Sequence, residues 1–279
     1  MPISSEERKY LRNKHKGGKN NSKGAVYEIF YATYSIALLI DRHITQLGDV
    51  QLTSQLEECF VDDLFIEEPG SHRTYYQLKD VKNLTWKTKK LQYDFKRQME
   101  ISSERKEDFK LKLVHSNPAK MLTPIPDEIG LCTTISFFPA EESINRLILS
   151  YSPFKDAIRN ITVSGNAEDD ELSGIAGAIV GAWSSMEKKN VSLKQIADAV
   201  RSIGKGYTNI KTYPNAIISE DCKEVFHRCG LCFHISGIDL HWSTAHGRLT
   251  GKIEWTSEME RKLLKASPSD MWTLIELLS

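Results

Sequence analysis

The chain has 279 residues, enough for one large domain or two modest ones with a sizeable buried core. Its 40% apolar and 9% aromatic content exclude a disordered chain, and 37 Lys+Arg against 37 Asp+Glu leave no net charge, so only local charge can speak for or against a polyanionic partner. No run of about 18 apolar residues occurs, so no membrane span is expected; the polar first stretch shows no secretory h-region; and five cysteines, an odd count, fit reduced thiols in a cytoplasmic protein.

Residues 1–24 read as a flexible basic arm. Arg8, Lys9, Arg12, Lys14, Lys16, Lys19 and Lys23 sit among Asn, Ser and Gly, either as a solvated tail or as phosphate contacts. Residues 25–41, "AVYEIFYATYSIALLID", have the length and apolar content of a buried helix. Glu28 is its lone early acid: it needs a partner if buried, or it serves the helix dipole if it lies in the first turn. Two β-type runs follow, "QLEECFVDDLFIEE" and "RTYYQLKDV", on either side of the turn signal "PGS" at 69–71, which predicts a hairpin. Residues 85–110 read as a charged surface helix with Leu91, Phe95 and Met99 on a narrow stripe. Strands are expected at 111–117 and 130–138, and a helix at 141–151. The acidic stretch 166–174 reads as a linker into a second region, and its acids also suit the N-terminus of the helix that follows. There, Gly177 and Gly181 permit a close helix approach, and "SLKQIADAVRSIG" is amphipathic, with Ser192 as N-cap and Gly204 as stop. Short β-like runs "CFHISGIDLHW" and "GKIEWTS" precede a C-terminal helix from Glu258. The expected fold is α/β (α+β): a mixed sheet flanked by helices over 25–165, then a smaller, mostly helical domain with short strands over 166–279.

The chemistry concentrates in the hairpin. In a strand, alternate side chains share a face, so Tyr75, Gln77 and Lys79 lie together, and Asp63 lies opposite the apolar pair Leu64 and Ile66. A packing strand has no use for an amide and an ammonium on one face. Phosphodiester hydrolysis does: carboxylates hold Mg²⁺, the ion lowers the pKa of a bound water, and a nearby cation orients the phosphate. Strands about 4.8 Å apart bring such side chains onto one ion. Asp63 is the preferred ligand and Asp62 the alternative. The bland reading is an ordinary hairpin with surface charges.

Glu28 on the leading helix, the "DD" of "FVDDLF" and the "QLK" of "YYQLKD" resemble the PD-(D/E)XK nuclease superfamily. That resemblance implies a restriction-endonuclease-like fold and a metal-dependent (Mg or Mn) DNA endonuclease. It implies that Asp63, Gln77 through its carbonyl oxygen, and Glu28 are metal or water ligands, and that Lys79 is the water-activating or phosphate-orienting cation. Gln77 stands where the motif usually has an acid, which removes one negative charge from the site. More narrowly, the order "G..YE…A…LL", acidic strand, "QxK" strand over about residues 15–120 is similar to the nuclease domain of anti-phage effectors. These are the double-stranded DNA endonucleases of CBASS operons and the nuclease subunits of Lamassu-type systems. It implies double-stranded DNA as substrate, other subunits of a defence complex as partners (an SMC-like ATPase among them), oligomerisation on activation, and a regulatory C-terminal half.

Two further features stand apart. His115 ends a strand, as a substrate contact or as a structural histidine. "CKEVFHRCGLCFH" offers Cys222, Cys229 and Cys232 as zinc ligands, with His227, His234, His241 or His246 as the fourth; the alternative is a buried strand. Together with the 192–204 helix as part of a helix-turn-helix, a zinc ribbon here would make a non-catalytic nucleic-acid-binding or scaffolding subunit.

Overall fold

The computed structural model describes residues 3–19, 22–81, 83–87, 90–117, 124–163, 167–204, 210–211, 216–236, 239–245 and 247–278. The N-terminal segment departs from the expected flexible arm. Ser5–Lys19 is a helix (α1). Ser4 and Glu7 close a capping box: Glu7 Oε2 accepts from the Ser4 amide at 2.8 Å, and Ser4 Oγ accepts from the Glu7 amide at 3.2 Å. Leu11, with Ile3 and Tyr10 beside it, is buried against Phe60 and Ile101. Glu7 pairs with Arg97 at 2.5 Å, and Tyr10 donates to Asp94 at 2.9 Å. The basic residues hid a helix whose few apolar positions fall on one side.

The long helix α2 (Ser22–Arg42) follows, burying Tyr27, Tyr31, Ile36 and Ile40, each worth about 1.5–3 kcal/mol. Then come β1 (Gln51–Ser54), β2 (Leu64–Glu68), β3 (His72–Lys79), α3 (Leu91–Glu104), β4 (Asp108–His115), α4 (Asp127–Gly130), β5 (Thr133–Phe137), α5 (Ile144–Ser150), α6 (Ser152–Ile161), α7 (Asp169–Ser185), β6 (Val191–Ser192) and α8 (Leu193–Gly204). Among the described residues these strands form a six-stranded mixed sheet in the order β5-β4-β3-β2-β1-β6. β2 and β3 are the expected antiparallel hairpin, Leu64 opposite Tyr76 and Glu68 opposite His72, with the turn at 69–71. Beyond them the pairing is parallel, β3 to β4 and β4 to β5, as connections through α3 and α4 require. The fold class is therefore α/β with a mixed sheet flanked by helices.

Two stretches are organised differently from the sequence pattern. Residues 55–63 are an irregular loop, because Gln55 and Glu58 adopt left-handed backbone, φ 55° and 57°. Buried Gln98 of α3 holds it, its Oε1 accepting from Cys59 Sγ at 2.9 Å and from the Phe60 amide at 3.0 Å. α3 thus buries Asp94, Gln98 and Ser102 as well as Leu91 and Phe95, a wider packing face than the apolar stripe alone.

The packing division also departs from 165/166. One compact unit takes residues 1–160 and 169–208, the other 161–168 and 209–279. α7 and α8 pack on α2 within the first unit, α7 burying Ile175, Ile179 and Trp183 and α8 burying Leu193, Ile196, Ala197 and Val200. The acidic run 169–171 is the first turn of α7, where negative charge suits the helix dipole, and not a linker. No close approach depends on its glycines: a Cβ at Gly181 would meet Ile203 at an ordinary 3.8 Å, and one at Gly177 nothing within 4 Å. In the second unit, α9 (Glu220–Arg228), β7 (Leu231–Ser236), β8 (Asp239–Thr244), β9 (Thr250–Glu254), α10 (Ser257–Ala266) and α11 (Met271–Leu277) surround a core of Phe226, Leu240, Trp255, Leu263 and Leu274.

Candidate active site

Asp63 sits one residue before β2. Extending the hairpin register from the Phe65–Tyr75 pair places it opposite Gln77. The pleat then does the rest: Asp63 Oδ2 accepts from the Gln77 side-chain amide, from the Leu78 backbone amide at 2.7 Å and from Lys79 Nζ at 3.2 Å. Asp63 and Gln77 are buried, and the Lys79 side chain is 27% exposed. A buried carboxylate is costly unless charge-assisted bonds replace its water, and three donors on one oxygen do so. Among the described residues no donor reaches the other oxygen, Oδ1, and Asp63 lines a cleft of about 640 Å³. Asp62 is buried too, its backbone carbonyl accepting from the Leu56 amide at 3.0 Å. Gln77 turns its nitrogen to Asp63, not the carbonyl oxygen expected to serve as a ligand.

Glu28 lines the same cleft. α2 begins at Ser22, so Glu28 lies beyond the first turn and the dipole reading does not apply. It has a partner instead: Gln55 Nε2 donates to its Oε2 at 3.0 Å. Burial pushes its carboxyl up to about 8, with the Asp63 charge adding to the rise and the Gln55 bond and Lys79 opposing it. Gln55 also donates its backbone amide to the Asp63 carbonyl at 3.4 Å, so one residue braces both acids. The sequence did not single it out. Its role follows from its left-handed backbone, which turns the chain out of β1 and over α2, and Gln is not a residue that announces such a turn.

A divalent cation is what the resemblance implies, and the donor set fits one in part. The Asp63 charge helps to raise the proton affinity of Glu28, and a cation would offset that negative charge. Asp63 and Glu28 would hold it, with the Gln77 amide beside them. Among the described residues, however, no three of His, Cys, Asp and Glu gather in an arrangement able to hold a metal ion.

Of the other candidates, His115 flanks this site on the neighbouring strand and the rest make no site. His115 is buried at the end of β4, paired in register with Lys79, and burial lowers its pKa. The cysteine set is not brought together. Cys222 points from α9 into the second unit's core; Cys229, at the helix end, donates to the Pro268 carbonyl at 3.3 Å; Cys232 is exposed on β7; His227 lies edge-on to Phe233. Burial raises the Cys222 and Cys229 thiols, away from the thiolate that zinc requires. His234 and His241 stack across β7 and β8, and His246 lies outside the described residues. α8 packs its apolar face within the first unit, and most of the segment after it, 205–209 and 212–215, lies outside the described residues. Arg8 of the basic arm pairs with Glu58 at 3.8 Å; the side chains of Lys14, Lys16, Lys19 and Lys23 lie outside the described residues.

No protein-family model matches the chain, and no curated protein matches it. Among solved structures it is similar to the Acinetobacter baumannii Cap4 SAVED/CARF-domain containing receptor, determined with the cyclic trinucleotide 3'3'3'-cAAA. Identity is 13% and the TM-score 0.38, over 68% of this chain and 48% of that one, so the chain spans about half that protein's length.

Proposed function

We propose that the chain is a divalent-metal-dependent endonuclease that hydrolyses phosphodiester bonds of double-stranded DNA with little sequence preference, as effector subunit of an anti-phage defence system. The observation that carries this reading is the convergence of Gln77, Leu78 N–H and Lys79 on Asp63 across the β2–β3 hairpin, beside an open cleft. The ordered motif from Glu28 to Lys79 supports the nuclease assignment, and its likeness to CBASS and Lamassu nuclease domains supports the defence setting.

A Mg²⁺ or Mn²⁺ ion held by Asp63 and Glu28 would supply Lewis-acid charge and lower the pKa of a bound water. The chain's own groups do the rest. Lys79 places its amine at the rim of the site, where it orients a phosphate and stabilises charge developing on it. The Leu78 amide and Gln77 fix the Asp63 carboxylate, so its free oxygen is aimed before substrate arrives. Glu28, whose carboxyl burial pushes up to about 8, would give up its proton on taking up the ion. No helix among the described residues is long and apolar enough to cross a membrane. A cytoplasmic effector would be restrained until triggered, and in this reading the second unit docks on other subunits, an SMC-like ATPase among them, and release permits oligomerisation.

Plasmid cleavage with Mg²⁺ should fall by about 10²-fold or more in Lys79→Ala and vanish with EDTA. Mn²⁺ titration followed by electron paramagnetic resonance should show a bound ion in the wild type and none in Asp63→Asn, whether or not the effector is silent. Cutting by Lys79→Ala at the wild-type rate, or equal Mn²⁺ binding in both proteins, would sink the assignment.

A further inference from the structure

The cleft beside Asp63 has a second wall that lies far away in sequence. The turn joining α7 to β6 is fastened to β1: the Ser54 amide donates to the Lys188 carbonyl at 2.8 Å, and the Asn190 amide donates to Thr53 Oγ1 at 2.9 Å. Thr53 Oγ1 in turn donates to Asn190 Oδ1 at 3.2 Å. Trp183, 1% exposed, anchors the end of α7 beneath it. Lys188 and Lys189 line the cleft, and among the described residues neither has a carboxylate partner. Two lysines at a cleft that no ion pair among the described residues ties up are cations available to a ligand.

The backbone points the same way. Left-handed conformations are uncommon for residues other than glycine and cost of order 1 kcal/mol or more. Gln55, Glu58 and Lys188, all lining this cleft, adopt them at φ 55°, 57° and 57°, and Asn190 does so at 49°. Such strain on both walls of one cleft persists because the fastening bonds over-determine it, and strain of this kind gathers at ligand sites.

The charge of the cleft decides how a ligand would enter. Glu57, Glu58, Asp63 and Glu187 line the cleft with the two lysines, so a polyanion entering it meets carboxylates as well as cations. We propose that Lys188 and Lys189 grip the DNA backbone beside the candidate site, and that duplex enters only when a divalent cation offsets the facing acids. This assigns the phosphate contacts to a turn of the first unit in place of the N-terminal arm. It deepens the nuclease reading and rests on it for the identity of the polyanion.

The test is fluorescence anisotropy of a labelled DNA duplex with the full chain, with Ca²⁺ replacing Mg²⁺ to leave the duplex intact. The slope of log affinity against log salt should fall by about 2 in Lys188→Ala/Lys189→Ala, one for each phosphate no longer neutralised. Both substitutions keep the backbone bonds of the turn, and unchanged Mn²⁺ binding by the double variant shows that the Asp63 site is intact. Lys223→Ala, a salt-bridged surface lysine of α9, controls for loss of charge alone and should bind as the wild type. Wild-type binding should drop at least tenfold in EDTA, and Glu57→Gln/Glu58→Gln should recover part of it. A double variant that cuts and binds like the wild type overturns this inference and leaves the nuclease reading standing. Duplex binding that depends on both lysines without any cutting does the reverse. A wild type with no affinity for duplex overturns the inference.

Discussion

Two short stretches of this sequence promise chemistry, residues 62–79 in the first unit and 222–234 in the second, and the fold treats them oppositely. In the hairpin, Asp63, Gln77 and Lys79 are separated by up to 16 residues yet meet at one carboxylate oxygen. In the cysteine stretch, Cys222, Cys229 and Cys232 fall within 11 residues and go to a core, a helix end and an exposed strand face. The difference is geometric. Paired strands keep one period and one face, so parity on each side of a turn converts directly into proximity. The cysteine stretch begins on a helix, reverses at Gly230 with φ 73° and continues as a strand, so three periodicities intervene between its ends. Close spacing in sequence is a poor guide across such a junction.

The largest effect that tests this contrast is Asp63→Ala. It strips the acceptor from the Leu78 amide, Gln77 and Lys79 at once, two of these groups being buried, and should cost about 3 kcal/mol or more in urea unfolding. A loss under 1 kcal/mol would mean that the convergence is incidental. The second unit should be most sensitive in its packing instead. A Cβ at Gly251 would collide with the Trp242 ring on the neighbouring strand, so Gly251→Ala should cost about 1–3 kcal/mol and shift tryptophan fluorescence. A neutral result there would show that the ring moves freely and that this sheet is not tightly packed.

Glu28 supplies a finer test through pH. Its folded pKa, about 8, lies above the ordinary 4.5, mainly because it is buried and then because Asp63 is near. The folded state therefore holds the proton more tightly than the unfolded state across that window, and stability falls as pH rises from about 4.5 to 8. Glu28→Gln removes the titration. Between pH 5 and pH 8 the wild type should lose more stability than Glu28→Gln by over about 1.4 kcal/mol, the equivalent of one pKa unit. Added Mg²⁺ at pH 8 should raise the wild-type Tm and leave that of Glu28→Gln unmoved. Parallel pH profiles would place Glu28 in contact with solvent and detach it from Asp63.

Much of this arrangement was legible in advance, and the reasons are specific. The hairpin was readable because "PGS" punctuates two runs whose alternation sets faces, and that alone aligns Asp63 with Gln77 and Lys79. α2 was readable from its apolar length. α1 was not, because its many cations masked a capping box and the packing of Tyr10 and Leu11, which appears only once Phe60 is in place. Gln55 and the 188–190 turn were illegible for another reason. Left-handed backbone at Gln, Glu, Lys and Asn carries no compositional mark, and the Thr53–Asn190 bond spans 137 residues. The acids at 169–171 were open to two readings, a linker or a helix N-terminus, and they are the first turn of α7.

The smallest expected effect closes the comparison from the other side. If the cysteine stretch is held by ordinary packing, Cys232 contributes only an exposed thiol, and Cys232→Ala should change stability by no more than about 0.5 kcal/mol. EDTA should leave the unfolding transition of the second unit where it was, because Phe226, Leu240, Trp255 and Leu263 hold that core without a metal. A structural zinc site behaves otherwise: its binding energy is folding energy, and both the substitution and the chelator would unfold the unit. Stoichiometric zinc in the purified chain, lost together with folding, would show that the ligands converge after all and that the contrast with the Asp63 hairpin is one of degree.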